Sequence, residues 1–329
     1  MSGLNESTIQ HDLQDIEGLP PSVKVYHYNG MDDFCRIIFL ENDRLYGSSG
    51  PKTQDRESGA SYEERKDQSI TPPPIKGTTN TLDDSNNWDN DDESEHLIFI
   101  IEPTDFEHDF LDSDSLLQVN IRIFFNPKTK ILVVKMASPV DREAALIFHD
   151  MIEEALEPMG LKNAIQLLGS TIMLATDGTK KQADGGWGPQ RPPRDAPRRP
   201  TLVLEVSNSR SYAKLHRNVQ YWVDPEKQEA NVAIGISLHR NKPEITIDQW
   251  ECSSGVSQPI QKAHFIIRGR SNGQVYFNSE NPLPQLVIPF HLLFRRPAEN
   301  NREHDIVIST RELVEFAIMV WDMQFKDEK

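Results

Sequence analysis

Cysteine is scarce in this chain, and so are long apolar segments. Cys35 and Cys252 are the two cysteines among 329 residues, and a single pair so far apart does not make a disulfide framework. This usage is typical of a reducing, intracellular setting, either cytoplasmic or nuclear. No apolar run approaches the roughly 18 residues of a membrane span, and the first residues lack the basic and apolar regions of a signal peptide. The sequence predicts a protein that is neither secreted nor inserted in a membrane.

Basic residues are in the minority. The chain has 35 Lys and Arg against 51 Asp and Glu, a net charge of −16, which argues against a protein that coats nucleic acid indiscriminately. The first 100 residues carry most of this charge, with 20 acidic and 8 basic residues. Residues 176–222 differ, since they hold nine basic and four acidic residues. This local excess suits either a phosphate-facing patch or a solvated loop, and charge alone leaves both open.

Composition divides the chain into three parts. Residues 46–95 are polar and acidic, with too few aliphatic side chains to offset the entropy of ordering, and we expect a disordered acidic linker there. Residues 1–45 contain β-favouring runs at 22–29 and 35–42, which predict an N-terminal β-rich extension. The acidic N-terminal region is a candidate site for recruiting a protein partner. Residues 96–325 predict one α/β domain with a central mixed sheet flanked by helices.

Periodicity predicts the elements of that domain. A hairpin is expected over 119–126 and 130–137, then an amphipathic helix over 141–158 with Asp141 as its N-cap. Glycine and proline predict an irregular loop over 185–200, and Ser209 is a plausible cap for a helix that ends near Val223. Strands are predicted near 165–168, 171–175, 201–206, 231–239, 244–251, 264–269, 274–278 and 305–310, with a last helix over 311–323.

Two acids stand out in this order of elements. Glu205 lies within the apolar strand of residues 201–206, where a carboxylate costs several kcal/mol unless it is paired or binds a cation. Asp184 follows the second short strand. Two acids at one sheet edge would suit Mg²⁺ or Mn²⁺, which can orient a water against a phosphodiester. The plainer alternatives are an ion pair of Glu205 with Arg210 or Lys214, and an Asp184 that caps a turn.

Motifs for other chemistries are missing. The histidines and cysteines show no HExxH or CxxC spacing, so the sequence does not predict a zinc site. No GxSxG, Walker A or GxGxxG motif occurs either.

A family resemblance covers about residues 135–255. It rests on the stretches Lys181-Gln182-Ala183-Asp184, Pro200-Thr201-Leu202-Val203-Leu204-Glu205-Val206-Ser207 and Ser211-Tyr212-Ala213-Lys214-Leu215 followed by Tyr221-Trp222. This ordered set resembles fungal proteins of the PD-(D/E)XK nuclease-like superfamily. The resemblance implies a restriction-endonuclease-like core in which Asp184 and Glu205 bind the metal and a lysine two residues after the glutamate assists the attacking water.

The signature departs from the superfamily at two positions. Ala183 replaces a turn-shaping proline, and Ser207 stands where the lysine is expected and cannot supply its positive charge. Some superfamily members recruit a lysine from the following helix, which makes Lys214 the expected catalytic substitute and Lys181 the reserve. In some relatives an acid of the first helix adds a metal contact, and Glu143 and Glu153 are the candidates here.

Two functions follow from these residues. The first is a Mg²⁺- or Mn²⁺-dependent nuclease with Asp184, Glu205 and Lys214 as catalytic residues and DNA or RNA as substrate. The second is a catalytically inactive nuclease-like domain that serves as a nucleic-acid or protein binding or regulatory module. The retained acids favour the first function, and the missing lysine favours the second. The candidate nucleic-acid contacts in either case are Lys181, Arg191, Arg194, Arg198, Arg199, Arg210 and Arg217.

Overall fold

The fold is taken from a computed structural model. It describes residues 19, 23–47, 94–111, 121–169, 171–194, 196, 198–208, 212–227, 230–252, 258–270, 273–278 and 284–326. Most of the linker predicted over residues 46–95 lies outside the described residues, as do Ser209 and Arg210.

Strands outnumber helices in the described residues, with fifteen of the former and six α-helices. The elements in chain order are β1 (Lys24–His27), α1 (Met31–Tyr46), β2 (His96–Ile100), α2 (Pro103–Phe106), β3 (Ile121–Asn126), β4 (Ile131–Met136), α3 (Pro139–Leu156), β5 (Ile165–Leu167), β6 (Met173–Leu174), β7 (Lys180–Lys181), β8 (Gly185–Pro189), β9 (Leu202–Ser207), α4 (Tyr212–Trp222), β10 (Val232–Leu238), β11 (Glu244–Glu251), β12 (Ile260–Gly269), β13 (Val275–Asn278), β14 (Leu286–Ile288), α5 (Phe290–Phe294), β15 (Ile306–Ile308) and α6 (Thr310–Gln324). None of the described helices is both long enough and apolar enough to cross a bilayer.

Six strands form one sheet, which we call the N-terminal sheet. Its strand order is β1-β2-β4-β3-β7-β6. β3 and β4 pair antiparallel along their whole length, which confirms the predicted hairpin. β1 runs parallel to β2, so residues 24–27 belong to the same sheet as the segment that follows residue 93.

The prediction of a strand over residues 35–42 is wrong, because these residues lie inside α1. The buried positions of this helix are Phe34, Ile37, Ile38 and Glu41. They follow helical spacing, and the apolar ones pack with Leu97 and Phe99 of β2. The adjacent isoleucines favour a strand locally, but burial of one helical stripe against the sheet decides the outcome.

Seven strands form the second sheet, which we call the C-terminal sheet. Its order is β13-β12-β11-β10-β9-β8-β5. β9 and β10 are parallel and are joined by α4, whereas β8 is antiparallel to both β5 and β9. The helix α3, the strands β5 and β9, the helix α4 and the strand β10 occur in the predicted order. The second predicted strand, over residues 171–175, corresponds to β6, which joins the N-terminal sheet with β7, and β8 takes its place between β5 and β9. A mixed α/β domain with helices on a mixed sheet is therefore confirmed.

The prediction of an irregular loop over residues 185–200 is partly wrong, because the first five of these residues form β8. Glycine is needed there for close packing and not for flexibility. A Cβ atom on Gly188 would stand 2.6 Å from the carbonyl oxygen of Arg199, and one on Gly185 would stand 2.8 Å from the ring of Trp187. Glycine in a strand marks such close approaches.

The cap of α3 also differs from the prediction. Ser138 is the N-cap, and its hydroxyl accepts a hydrogen bond from the Asp141 amide. Asp141 sits three positions later and accepts from the Ser138 amide at 3.0 Å, which completes a capping box. Asp141 is thus a helix residue whose carboxylate is buried against the start of its own helix.

Side chains of β9 alternate between two different cores. Leu202, Leu204 and Val206 pack with residues of α3 and α6. Val203 points the other way and packs with Leu215, Val219 and Trp222 of α4. Because strand side chains alternate, Glu205 lies on the same face as Val203, toward α4 and the N-terminal sheet.

Candidate functional site

Glu205 is held by two donors on the α4 side of β9. The indole Nε1–H of Trp222 donates to Glu205 Oε1 at 2.5 Å, and Lys181 Nζ lies 3.5 Å from the same oxygen. Lys181 also donates to Asn218 Oδ1 at 3.1 Å, and its ammonium lies 4.7 Å from the centre of the Tyr221 ring. The charge in the apolar strand is therefore paired with a buried lysine, Lys181, which the sequence analysis did not name as its partner.

Asp184 stands immediately before β8 and is paired as well. Its Oδ2 accepts from Lys135 Nζ at 2.6 Å and from the Val206 amide at 2.8 Å. Arg122 Nε lies 3.7 Å from the other oxygen, Oδ1. Asp184 thus touches the residue next to Glu205, and the two acids flank the same end of β9.

Lys135 is the site residue that the sequence reading missed. It comes from β4 in the N-terminal sheet and donates both to Asp184 and to the carbonyl oxygen of Val206. Burial alone would lower the pKa of Lys135, but the surrounding carboxylates, Asp184 foremost, raise it well above its ordinary value. The ammonium is therefore charged throughout the physiological range.

Further ionisable groups surround these two pairs. We call the following set the buried charge cluster: Glu95, His96, Lys135, Asp141, Lys181, Asp184, Glu205 and Lys214. Asp184, at 8 % exposure, is the most exposed member. The cluster lies where the N-terminal sheet meets β9 and α4. Buried charge on this scale requires mutual compensation, because each isolated charge would cost several kcal/mol.

Besides Lys135, three members of the cluster have displaced pKa values. Burial, with the charge of Asp141, raises the pKa of Glu95 to about 8. Burial likewise raises the pKa of Asp141 to about 6, although Lys135 opposes the rise. Burial, with the charges of Lys214 and Lys135, holds the pKa of His96 well below its usual range, so this imidazole is neutral.

Lys214, the expected catalytic lysine, is buried in α4. Its ammonium lies 5.9 Å from the ring centre of Phe124 in β3. Lys135 pairs with Asp184, and Lys181 pairs with Glu205. Ser207, at the position of the superfamily lysine, donates its hydroxyl to Glu95 Oε1 at 3.2 Å. The catalytic role of Lys214 stays a prediction.

The predicted arginine contacts between β8 and β9 lie apart from the acids, whereas Lys181, which was also predicted to contact nucleic acid, is buried beside Glu205. Arg191, Arg194 and Arg198 are exposed in the segment between β8 and β9. This segment begins where β8 ends, whereas Asp184 stands just before β8, about 16 Å away along a strand of this length. Arg199 donates to Asn231 Oδ1 at 3.0 Å and anchors the base of the segment. Arg217 is exposed on α4.

A cleft of about 550 Å³ reaches Asp184 from the side of α3. Polar residues on its wall include Arg122, Arg142 and Glu143, and the exposed side chains of Leu146 and Leu167 form part of its apolar lining. Glu143 thus shares the cleft with Asp184. Glu153, the other helix acid considered, pairs at 3.3 Å with both His149 and Lys162.

Within the described ranges, no group of three or more His, Cys, Asp or Glu side chains is arranged to hold a metal ion. No protein-family model matches the chain, and none of the curated proteins matches it.

Proposed function

We propose that this chain is a nuclease-like α/β domain that binds nucleic acid without cleaving it. The observation that carries the proposal is the position of Lys135. Carboxylate and carbonyl oxygens are the ligands that Mg²⁺ uses in proteins. Here Asp184 Oδ2 and the Val206 carbonyl both accept from the Lys135 ammonium. The ammonium supplies the positive charge that these oxygens would otherwise take from a metal.

Energetics favour the ammonium over a metal at this position. A divalent ion would have to displace a buried, fully charged lysine from two oxygen partners. The displaced lysine would then be left in an interior where an uncompensated charge costs several kcal/mol. Glu205 is also paired, with Lys181 and Trp222. The donor set as arranged therefore does not fit a divalent ion.

The binding surface in this proposal is the arginine-rich segment between β8 and β9. Arg191, Arg194 and Arg198 are exposed, and Arg199 fixes the base of the segment through Asn231. Guanidinium groups pair with phosphate oxygens in a bidentate manner, and such contacts position a protein on a backbone without reading sequence. The segment is therefore suited to DNA or RNA of any sequence.

Metal ions are expected to leave the stability of the wild-type protein unchanged. A site filled at a hundred times its Kd would add about 2.7 kcal/mol to the free energy of unfolding, a shift that melting curves detect easily. We expect no rise in Tm with Mg²⁺ or Mn²⁺ and no cleavage of DNA or RNA. A metal-dependent rise in Tm that Asp184→Asn abolishes would contradict the proposal.

Neutralising the arginine segment is expected to weaken nucleic-acid binding and its dependence on salt. Each lost phosphate contact lowers the slope of log K against log salt by about 0.9 for double-stranded DNA. The triple variant Arg191→Gln, Arg194→Gln, Arg198→Gln should therefore have a slope shallower by about 2 to 3. Fluorescence anisotropy over a salt series measures it.

A matched control removes the same charge elsewhere. The triple variant Arg36→Gln, Lys128→Gln, Arg311→Gln changes three exposed basic residues that lie outside this segment. It should keep the wild-type slope. Equal slopes for both triple variants would exclude the arginine segment as the binding surface.

A second function, metal-dependent phosphodiester hydrolysis, is favoured by the cleft that reaches Asp184. Arg122 and Arg142 on its wall could contact a phosphate, and Glu143 could join Asp184 as a further acid. In that case Lys135 would be the ammonium beside the reacting phosphate, in place of Lys214. Cleavage by the wild type that is lost in Lys135→Met would support hydrolysis over binding alone.

A further inference from the structure

Two buried carboxyl oxygens at the junction of the sheets have no hydrogen-bond donor. They are Glu95 Oε2 and Asp141 Oδ1. Both residues are 1 % exposed. Glu95 precedes β2 of the N-terminal sheet, and Asp141 lies in the first turn of α3, which packs on the C-terminal sheet. An unsatisfied buried acceptor costs about 1–3 kcal/mol, and more if it is charged, so two of them call for an explanation.

The other oxygen of each carboxyl group is already satisfied. Glu95 Oε1 accepts from the Ser207 hydroxyl, and Asp141 Oδ2 accepts from the Ser138 amide. Each side chain is thereby fixed, with one oxygen left over. A single hydrogen between the two remaining oxygens would satisfy both, since a protonated carboxyl group is a donor and an ionised one is an acceptor.

Charge around Glu95 leads to the same conclusion. Asp141 and Asp184 supply two negative charges near it, and Lys135 and Arg240 supply two positive charges. An ionised Glu95 would therefore be repelled by two other carboxylates, of which Asp141 acts on it most strongly. Tyr46 of α1, whose hydroxyl donates to the Met136 carbonyl, and Ser207 of β9 also lie near the pair.

We propose that Glu95 and Asp141 hold one proton jointly at neutral pH and that this proton fastens the N-terminal sheet to α3. Loss of the proton in alkaline solution leaves two buried carboxylates that are both ionised, which repel each other and weaken the attachment. The pair is thus a buried proton-binding site that makes the junction of the two sheets sensitive to pH.

The stability of the wild type should therefore fall as the pH rises from about 6.5 to 8. The pKa of Glu95 is raised to about 8 in the folded protein from an ordinary value of 4.5. Because the pKa is higher in the folded state, the stabilisation is complete at a pH below the pKa of the unfolded state. It is lost as the pH rises through the pKa of the folded state. One proton is released on unfolding in this window, so the unfolding equilibrium constant should increase about tenfold per pH unit.

His96 affects only the acidic end of this window. Its pKa is lowered in the folded state, so its contribution to stability is present above the ordinary pKa of 6.5 and is lost as the pH falls. The unfolded imidazole is about half protonated at pH 6.5 and largely neutral above about pH 7.5, where it no longer contributes to the pH dependence. The alkaline loss therefore reports on the carboxyl pair.

The variant Glu95→Gln tests the proposal. The glutamine side-chain NH₂ group can donate to Asp141 Oδ1, and its carbonyl oxygen can accept from Ser207. The amide does not ionise, so this donor remains at alkaline pH. We expect the tenfold change per pH unit to disappear, so that the variant is more stable than the wild type above pH 8. The control Glu102→Gln, which alters an exposed acid just after β2 that pairs with Lys130, should keep the wild-type pH dependence.

If the variant folds poorly, a direct titration of the wild-type protein tests whether Glu95 and Asp141 share a proton. Carbon NMR of wild-type protein labelled at glutamate carboxyl groups should show one signal that remains protonated at neutral pH and titrates near pH 8. An ionised Glu95 signal at pH 6, or a Glu95→Gln variant with the alkaline loss of the wild type, would overturn the shared proton.

Discussion

Replacing Lys135 by methionine is expected to lower the free energy of unfolding by about 3–5 kcal/mol, the range found when one partner of a buried ion pair is removed. Methionine fills the volume of the aliphatic chain but leaves Asp184 Oδ2 and the Val206 carbonyl without the ammonium that both contact. Arg122, at 3.7 Å from the other oxygen of Asp184, is too distant for a normal hydrogen bond and compensates little. Urea denaturation of the purified variant measures the change.

Two further variants make this result specific. Lys130→Met removes a lysine from the same hairpin that pairs with Glu102 at the surface, and an exposed pair is worth at most about 1 kcal/mol. The double variant Lys135→Met, Asp184→Leu removes both charges and should regain much of the lost stability. If Lys135→Met were no more harmful than Lys130→Met, Lys135 would not be the internal counter-ion of Asp184.

The sequence was informative about β9 because its pattern is unambiguous. Residues 201–206 form a nearly continuous apolar run, which is typical of a strand buried on both faces, and β9 spans Leu202–Ser207. A charge inside such a run must be compensated, so the sequence alone identifies Glu205 as a residue that needs a partner. The nature of the compensation could not be identified, because ion pairs and metal ions satisfy a carboxylate equally well.

Lys135, like Glu205, is a charged residue within an apolar run of the sequence. It lies within the apolar run of residues 131–136, and β4 is buried at five of its six positions. A buried lysine needs a partner as much as a buried glutamate does. What the sequence does not provide is the pairing, since residues 135 and 184 meet only because β4 and β8 belong to two sheets that pack together. Tertiary contacts between separate sheets leave no periodic trace in the chain.

The misread segments share a physical cause. Residues 35–42 contain adjacent β-branched side chains, yet they form a helix because one helical stripe covers β2. Residues 185–189 contain three glycines, yet they form a strand because neighbours approach too closely for a Cβ atom. In both segments packing against another element overrides local propensity, and that element lies far away in the sequence.

Replacing Glu205 by glutamine separates the ion-pair explanation of this residue from the metal explanation. In the paired arrangement the variant removes the carboxylate that faces Lys181, and we expect the free energy of unfolding to fall by about 3 kcal/mol. Lys181→Met in the same chain should restore much of that loss. In a metal site without its metal the result would be the opposite, because removing one of two facing carboxylates relieves repulsion and stabilises the protein.

Glu244→Gln is the matched control for this variant. Glu244 pairs with Arg268 at 2.6 Å on β11 and β12, but both side chains are partly exposed, so its loss should cost no more than about 1 kcal/mol. Urea denaturation in the presence of a chelator compares the four proteins under metal-free conditions. A Glu205→Gln variant that is more stable than the wild type would contradict the paired arrangement. Repulsion between Asp184 and Glu205, and not attraction to Lys181, would then dominate at this end of β9, and this result would support metal binding by the two acids.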